Sequence, residues 1–151
     1  AEDAEGLYSR LAPMGGELLL RTIEGIEEGT IIPKPQDPSL VSFAPIIRKE
    51  DGHIDWSIPA SSVFNRIRAF KPWPGSFAFL EGRQLKVVEA APAEGGSGEA
   101  PGTVVESGKH LAVACGEGLL YLVEVQMEGK KRMSAADFLR GHKVQVGTRL
   151  E

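Results

Sequence analysis

From Ser76 onward the apolar pattern of this chain changes its period. Five short runs follow: SFAFL, RQLKVVEAA, GTVVES, HLAVACG and LLYLVEVQ. Each is rich in residues that favour extended backbone. They are separated by Glu81-Gly82, the Gly95–Gly98 stretch, Ser107-Gly108 and Gly116–Gly118, all of them turn signals. Five strands on such short connections cannot cover one another as separate layers, so they predict a small closed or partly closed barrel. LKVV and GLLYLVEV have the apolar content of strands buried on at least one face. The closing VQVGTRL is expected to return as an edge strand.

Helices flank this β region. Leu7, Leu11, Leu18, Leu19, Thr22, Ile23 and Ile26 recur at helical spacing, with Pro13 and Gly15-Gly16 straining the pattern and Gly29 as its stop. Thr30 to Leu40 carries Pro33, Pro35 and Pro38, so it reads as an extended connector ending around Lys49–Gly52. A second helix is expected with Ser57 as N-cap, Pro59 in the first turn and Val63, Ile67 and Phe70 as its apolar stripe. Pro72 and Pro74 end it. Ser134 should cap a short helix, AADFL, with Asp137 at the third position and Gly141 just past its end. The fold class is therefore mainly β: a small OB-like barrel with an added helix, preceded by a helix and an extended linker.

Composition narrows the function classes. The 151 residues contain no apolar run approaching the ~18 needed to span a membrane. The acidic start, AEDAEGLYSRL, lacks the basic and apolar regions of a secretory signal. Cys115 is the single cysteine, so no internal disulfide forms and a cytoplasmic location is expected. His53, His110 and His142 lack metal-ligand spacing and read as surface residues, so no metal site is expected. Asp51 and Asp55 lack a calcium-loop pattern. Cys115, inside LAVAC, reads as inert core. No nucleophile–base pair and no phosphate loop is present, and no catalytic residue is assigned.

Charge is the remaining signal. Net charge is −4, but it is uneven: residues 1–50 carry 5 Lys and Arg against 9 Asp and Glu, while residues 51–151 carry 12 of each. Residues 129–143 hold Lys130, Lys131, Arg132, Arg140 and Lys143 against one acid, Asp137. A local field of this kind attracts phosphate even on an acidic chain. Phe77, Phe79 and Tyr121 have the chemistry to stack on bases, but their alternating strand positions favour core packing.

Two stretches resemble a known family. DGHIDWSIPASSVFNRIRAFKPWPGSF, residues 51–77, resembles the start of the C-terminal domain of the formyltransferases through its IDW, NxIRAF and PWPG pieces. GKKRMSAADFLRG with the closing GTRL resembles the end of the methionyl-tRNA formyltransferases in particular. LYSRLAPMGGELLLRTIEGIEEGTIIPKPQ resembles the last helix of their catalytic domain and the linker behind it. The resemblance implies three parts. Residues 1–29 would be the terminal helix of an otherwise missing formyltransferase domain, 30–50 a linker, and 51–151 an OB-like tRNA-binding domain.

It further implies an enzyme that moves a formyl group from 10-formyltetrahydrofolate to the amine of methionyl initiator tRNA. That family's catalytic Asn, His and Asp belong to the missing domain. The chain, which opens on Ala1, is therefore expected to be a C-terminal piece that binds no cofactor and transfers no formyl group by itself. It is expected to be monomeric. Its tRNA-facing residues would be Arg48, Lys49, Arg66, Arg68, Lys130, Lys131, Arg132 and Lys143, pairing with phosphates rather than reading bases. Arg68 could instead brace the PWPG turn, and Trp56 and Trp73 are expected to pack that turn against the helix. A relative acting on a small substrate, or a structural docking module, remains as an alternative.

Overall fold

The computed structural model describes residues 2–93, 95–96 and 98–151. The Gly95–Gly98 turn includes Ser97, which lies outside the described residues. The chain divides into two units, residues 1–47 and 48–151.

The first unit is a long helix and an extended tail. Helix α1 covers Ala4–Glu27 and absorbs both Pro13 and Gly15-Gly16. Its N-cap Asp3 accepts a hydrogen bond from the Gly6 N–H at 3.0 Å. It stops at Gly29, whose φ of +71° suits a glycine, and the N–H groups of Thr30 and Ile31 both donate to the Gly25 carbonyl. Leu7, Leu11, Leu18, Leu19, Ile23 and Ile26 are exposed along it. The proline-rich tail is extended apart from a 3-10 turn at Pro38–Leu40. Asp37 caps that turn by accepting from the Ser39 N–H, and the Ser39 hydrogen bonds hold its carboxyl below the usual range.

The second unit opens with a 3-10 turn at Lys49–Gly52. Helix α2 follows at Ala60–Ala69. Then come strands β1 (Ser76–Leu80), β2 (Arg83–Ala93), β3 (Val104–Ser107), β4 (Leu111–Ala114), β5 (Leu119–Met127) and β6 (Met133–Ser134), and helix α3 (Ala135–Gly141). All pairings are antiparallel, in the order β1-β2-β5-β4-β3, with β6 also on β5. The result is a mainly β, OB-like domain with added helices.

β1 and β3 are the edges of this open sheet. The tail returns between them and touches both, but through isolated bridges at Arg149 and Leu150 rather than as the edge strand expected of VQVGTRL. Phe79 and Glu151 exchange backbone hydrogen bonds on the β1 side, while Val104 N–H donates to Thr148 and Leu150 N–H to Gly102 beside β3. Leu150, 2% exposed, plugs the barrel between them.

The core is built from the inward faces of the strands and one face of each helix of this unit. Leu85, Val104, Val113, Leu120 and Val125 are fully enclosed, with Val63 and Ile67 from α2 and Phe138 from α3. Side chains two apart on a strand share a face, so Ala78 and Leu80 enter while Phe77 and Phe79 point out. These two rings therefore do not pack the core, against the expectation from their alternating positions. Cys115 is buried, and burial pushes its thiol up to about 11.

The start of α2 also departs from expectation. Ser57 is not its cap: both its N–H and its hydroxyl donate to the Asp55 carboxylate, closing a turn two residues before the helix. Pro59 stands at the N-cap, where the Trp56-Ser57 turn leads the chain past the β4–β5 turn before α2 begins at Ala60. There Gly116 N–H meets the carbonyls of Trp56 and Ile58 at 2.8 and 3.1 Å, and Ala60 N–H donates to Glu117. Trp56 is buried in the core, whereas Trp73, expected to pack the same turn, is 59% exposed.

Candidate nucleic-acid interface

The basic residues occupy four places. Arg66 and Arg68 sit in the last turn of α2, where their charges complement the helix dipole. The Arg68 guanidinium lies 4.9 Å from the Phe64 ring centre and donates to Asn65 at 2.6 Å. It therefore braces its own helix. Arg66 lies 5.9 Å from the Phe70 ring and is exposed.

Lys130, Lys131 and Arg132 form the turn between β5 and β6. The two lysines are exposed, and the turn is pinned where the Gln126 side-chain amide donates to the Lys130 carbonyl at 2.9 Å. Arg132 differs from its neighbours. Its guanidinium is hydrogen-bonded to Glu124 and lies 3.8 Å from Glu89. The same Glu89 oxygen lies 3.6 Å from the Lys71 ammonium. Glu89 thus ties the exit of α2 to the β5–β6 turn across the outside of β2, bringing two of the basic clusters together. The hydrogen bond from Arg132 holds the Glu124 carboxyl below its ordinary value, and the same bond pushes the guanidinium further up. Arg132 spends its charge on Glu124 and Glu89 at the surface and acts as a tether for the two lysines.

Arg48, Lys49 and Lys143 are exposed but joined to neither cluster by a described contact. Arg48 begins the second unit, its N–H held by the Asp51 carboxylate at 2.6 Å. Lys143 follows α3. Lys71, which the sequence groups with Arg66 and Arg68 at the exit of α2, and Lys86, which it does not single out, also lie on this surface. Only the strand register singles out Lys86, by setting it across from Phe77. Among the described residues no three His, Cys, Asp or Glu side chains gather as a metal site would require. No helix there is long and apolar enough to cross a membrane.

These features define a small OB-like β domain with flanking helices and an outer surface of tethered and exposed cations. The family model of the formyl transferase C-terminal domain matches residues 46–143, and the chain belongs to that family. Relatives named methionyl-tRNA formyltransferase align along almost all of it. The protein of Myxococcus xanthus is 48% identical over 97% of this chain and 47% of its own length. That of Solibacter usitatus is 44% identical over 99% and 48%. That of Citrifermentans bemidjiense is 43% identical over 97% and 46%. The chain thus spans about half the length of these relatives. A variant of HypX from Aquifex aeolicus shares the fold with a TM-score of 0.59 at 18% identity, over 97% of this chain and 30% of that one. HypX in complex with tetrahydrofolic acid aligns over 87% and 26%, with a TM-score of 0.52 at 20% identity.

Proposed function

We propose that this chain is the tRNA-holding C-terminal part of a methionyl-tRNA formyltransferase, with the chemistry of formyl transfer residing outside it. The observation that carries this reading is the 43–48% identity, sustained over nearly the whole chain, to relatives bearing that name. The full enzyme would take its formyl group from 10-formyltetrahydrofolate, a reading that the tetrahydrofolate complex of HypX supports. It would work in the cytoplasm on methionyl initiator tRNA during translation initiation, with this chain a monomer. Residues 1–29 would complete the catalytic domain, 30–50 would link, and 51–151 would bind.

Binding would rest on phosphate contacts from Arg48, Lys49, Arg66, Lys130, Lys131 and Lys143. Arg68 and Arg132, already engaged with neighbours, would contribute mainly by position. If about five cations meet phosphate, log K falls against log salt with a slope of roughly −4, a loss of a few hundredfold between 50 and 200 mM. The test titrates the chain with initiator tRNA and an elongator tRNA at two salt concentrations. Salt-sensitive binding to both is expected, since phosphate contacts carry no sequence information. Binding insensitive to salt, or none at low salt, would refute the phosphate-holding role. Formyl transfer by the purified chain above background would refute the assignment of catalysis elsewhere.

A further inference from the structure

The outward face of β1 carries rings that the barrel core does not need. Phe77 and Phe79 are half-buried on that face, their centroids 5.8 Å apart and edge to face. The exposed His53 lies 5.4 Å from Phe77 at an interplanar angle of 17°, an offset stack, and 5.7 Å from Phe79. His53 is placed there by the backbone: it bridges Phe77, and the next residue, Ile54, donates to the Phe77 carbonyl at 2.8 Å.

The strand register extends this cluster sideways. Phe77 stands opposite Lys86 on β2, and Lys86 opposite Gln126 on β5. Neighbouring strands are about 4.8 Å apart, so rings and ammonium lie one step from each other on one surface. Lys86 is exposed and belongs to none of the ion pairs found among the described residues. Gln126 in turn holds the turn that bears Lys130. The row therefore runs from stacked rings to cations and contains no acid.

We propose that this face binds an unpaired RNA nucleotide, its base stacking on His53 and Phe77 and its phosphate pairing with Lys86. Flat rings accept any base, and a cation one strand away meets the negative backbone that accompanies it. An apolar peptide would leave Lys86 without use, whereas a nucleotide matches both ends of the row. The inference rests on the tRNA-holding reading and adds a single-stranded element to it.

The test uses the full chain and two labelled RNA hairpins, one blunt and one with a single-stranded extension of about four nucleotides, read by fluorescence anisotropy at low salt. The extended hairpin should bind more tightly. His53→Ala should weaken it by between about fivefold and a hundredfold, the range found for loss of one base–aromatic stack, while blunt binding stays unchanged. His53→Tyr should restore it, and Lys86→Gln should reduce the salt slope by about one. Phe79→Leu, which keeps an apolar residue in the strand, removes a second ring and should also discriminate between the hairpins. Equal affinity for both hairpins, or equal losses on both in His53→Ala, overturns the stacking site and leaves the phosphate reading standing. If neither hairpin binds, both readings are overturned.

Discussion

Replacing Gly116 by alanine sets a methyl carbon 1.8 Å from the Ser57 carbonyl oxygen and 2.7 Å from its carbon. Both are backbone atoms and no rotamer change can relieve the clash. Ordinary contact begins at 3.4 Å, so residues 56–58 must retreat by about 1.6 Å. The two bonds from the Gly116 N–H, at 2.8 and 3.1 Å, leave hydrogen-bonding range in that movement. Lost bonds cost about 1 kcal/mol each, and forced displacement of packed chain about 1–3 more. The total, about 3–5 kcal/mol, is a large part of the 5–15 kcal/mol typical of a domain. In urea with an m-value of about 1.5 kcal/mol/M, the midpoint should fall by about 2–3 M. Tryptophan fluorescence reads this transition directly, because Trp56 is buried in the segment that must move. A midpoint loss under about 0.5 M at unchanged m would refute the view that this contact fastens residues 56–58 to the barrel.

Other outcomes follow from the same structure. Glu89→Gln should change stability by under about 1 kcal/mol, since the ion pairs it makes are half exposed. It should tighten RNA binding two- to threefold at low salt, about one unit charge at ~8 Å through water, and the gain should vanish near 1 M salt. Weaker binding would mean that Lys71 and Arg132 need Glu89 to be held in place. Leu150→Ala should cost about 2–5 kcal/mol by calorimetry, and a cost under about 1 would show that the tail does not plug the barrel. The Cys115 thiol ionises near 11 in the folded chain because it is buried, above the ordinary value of about 8.5. Its contribution to stability is whole below about 8.5 and is lost as pH rises toward 11, because the unfolded chain gives up its proton first. Absorbance of the thiolate in the native protein should accordingly appear near pH 11; a midpoint near 8.5 would contradict the burial.

Much of the fold was legible because local signals agreed. The glycine punctuation marked each turn, and Ser134 with Asp137 marked α3, whose cap accepts from the Asp137 N–H at 3.0 Å. The errors fall where a distant partner overrides a local preference. Ser57 has good capping chemistry, but Asp55 takes both its donors, and the carbonyls of Trp56 and Ile58 on either side of it are held by the Gly116 N–H. SFAFL is apolar on both faces, so alternation predicts two faces without saying which turns outward. Trp73 sits between two prolines in a turn that leaves it in solvent. For the candidate interface, the basic residues themselves were readable, and their engagement was not. Arg132 meets Glu89 from 43 positions away, a distance that only the β2–β5 register closes.

The position of the tail also sets an order of events. Residues 148–151 are synthesised after both strands they join, and the Thr103–Arg149 bridge spans 46 positions. A nascent chain stopped before Thr148 leaves Phe79 on β1 and the Val104 N–H on β3 without their tail partners, open to other chains. On the ribosome this domain therefore passes through a sticky stage, which ends only when residues 148–151 clear the exit tunnel and join the two edges.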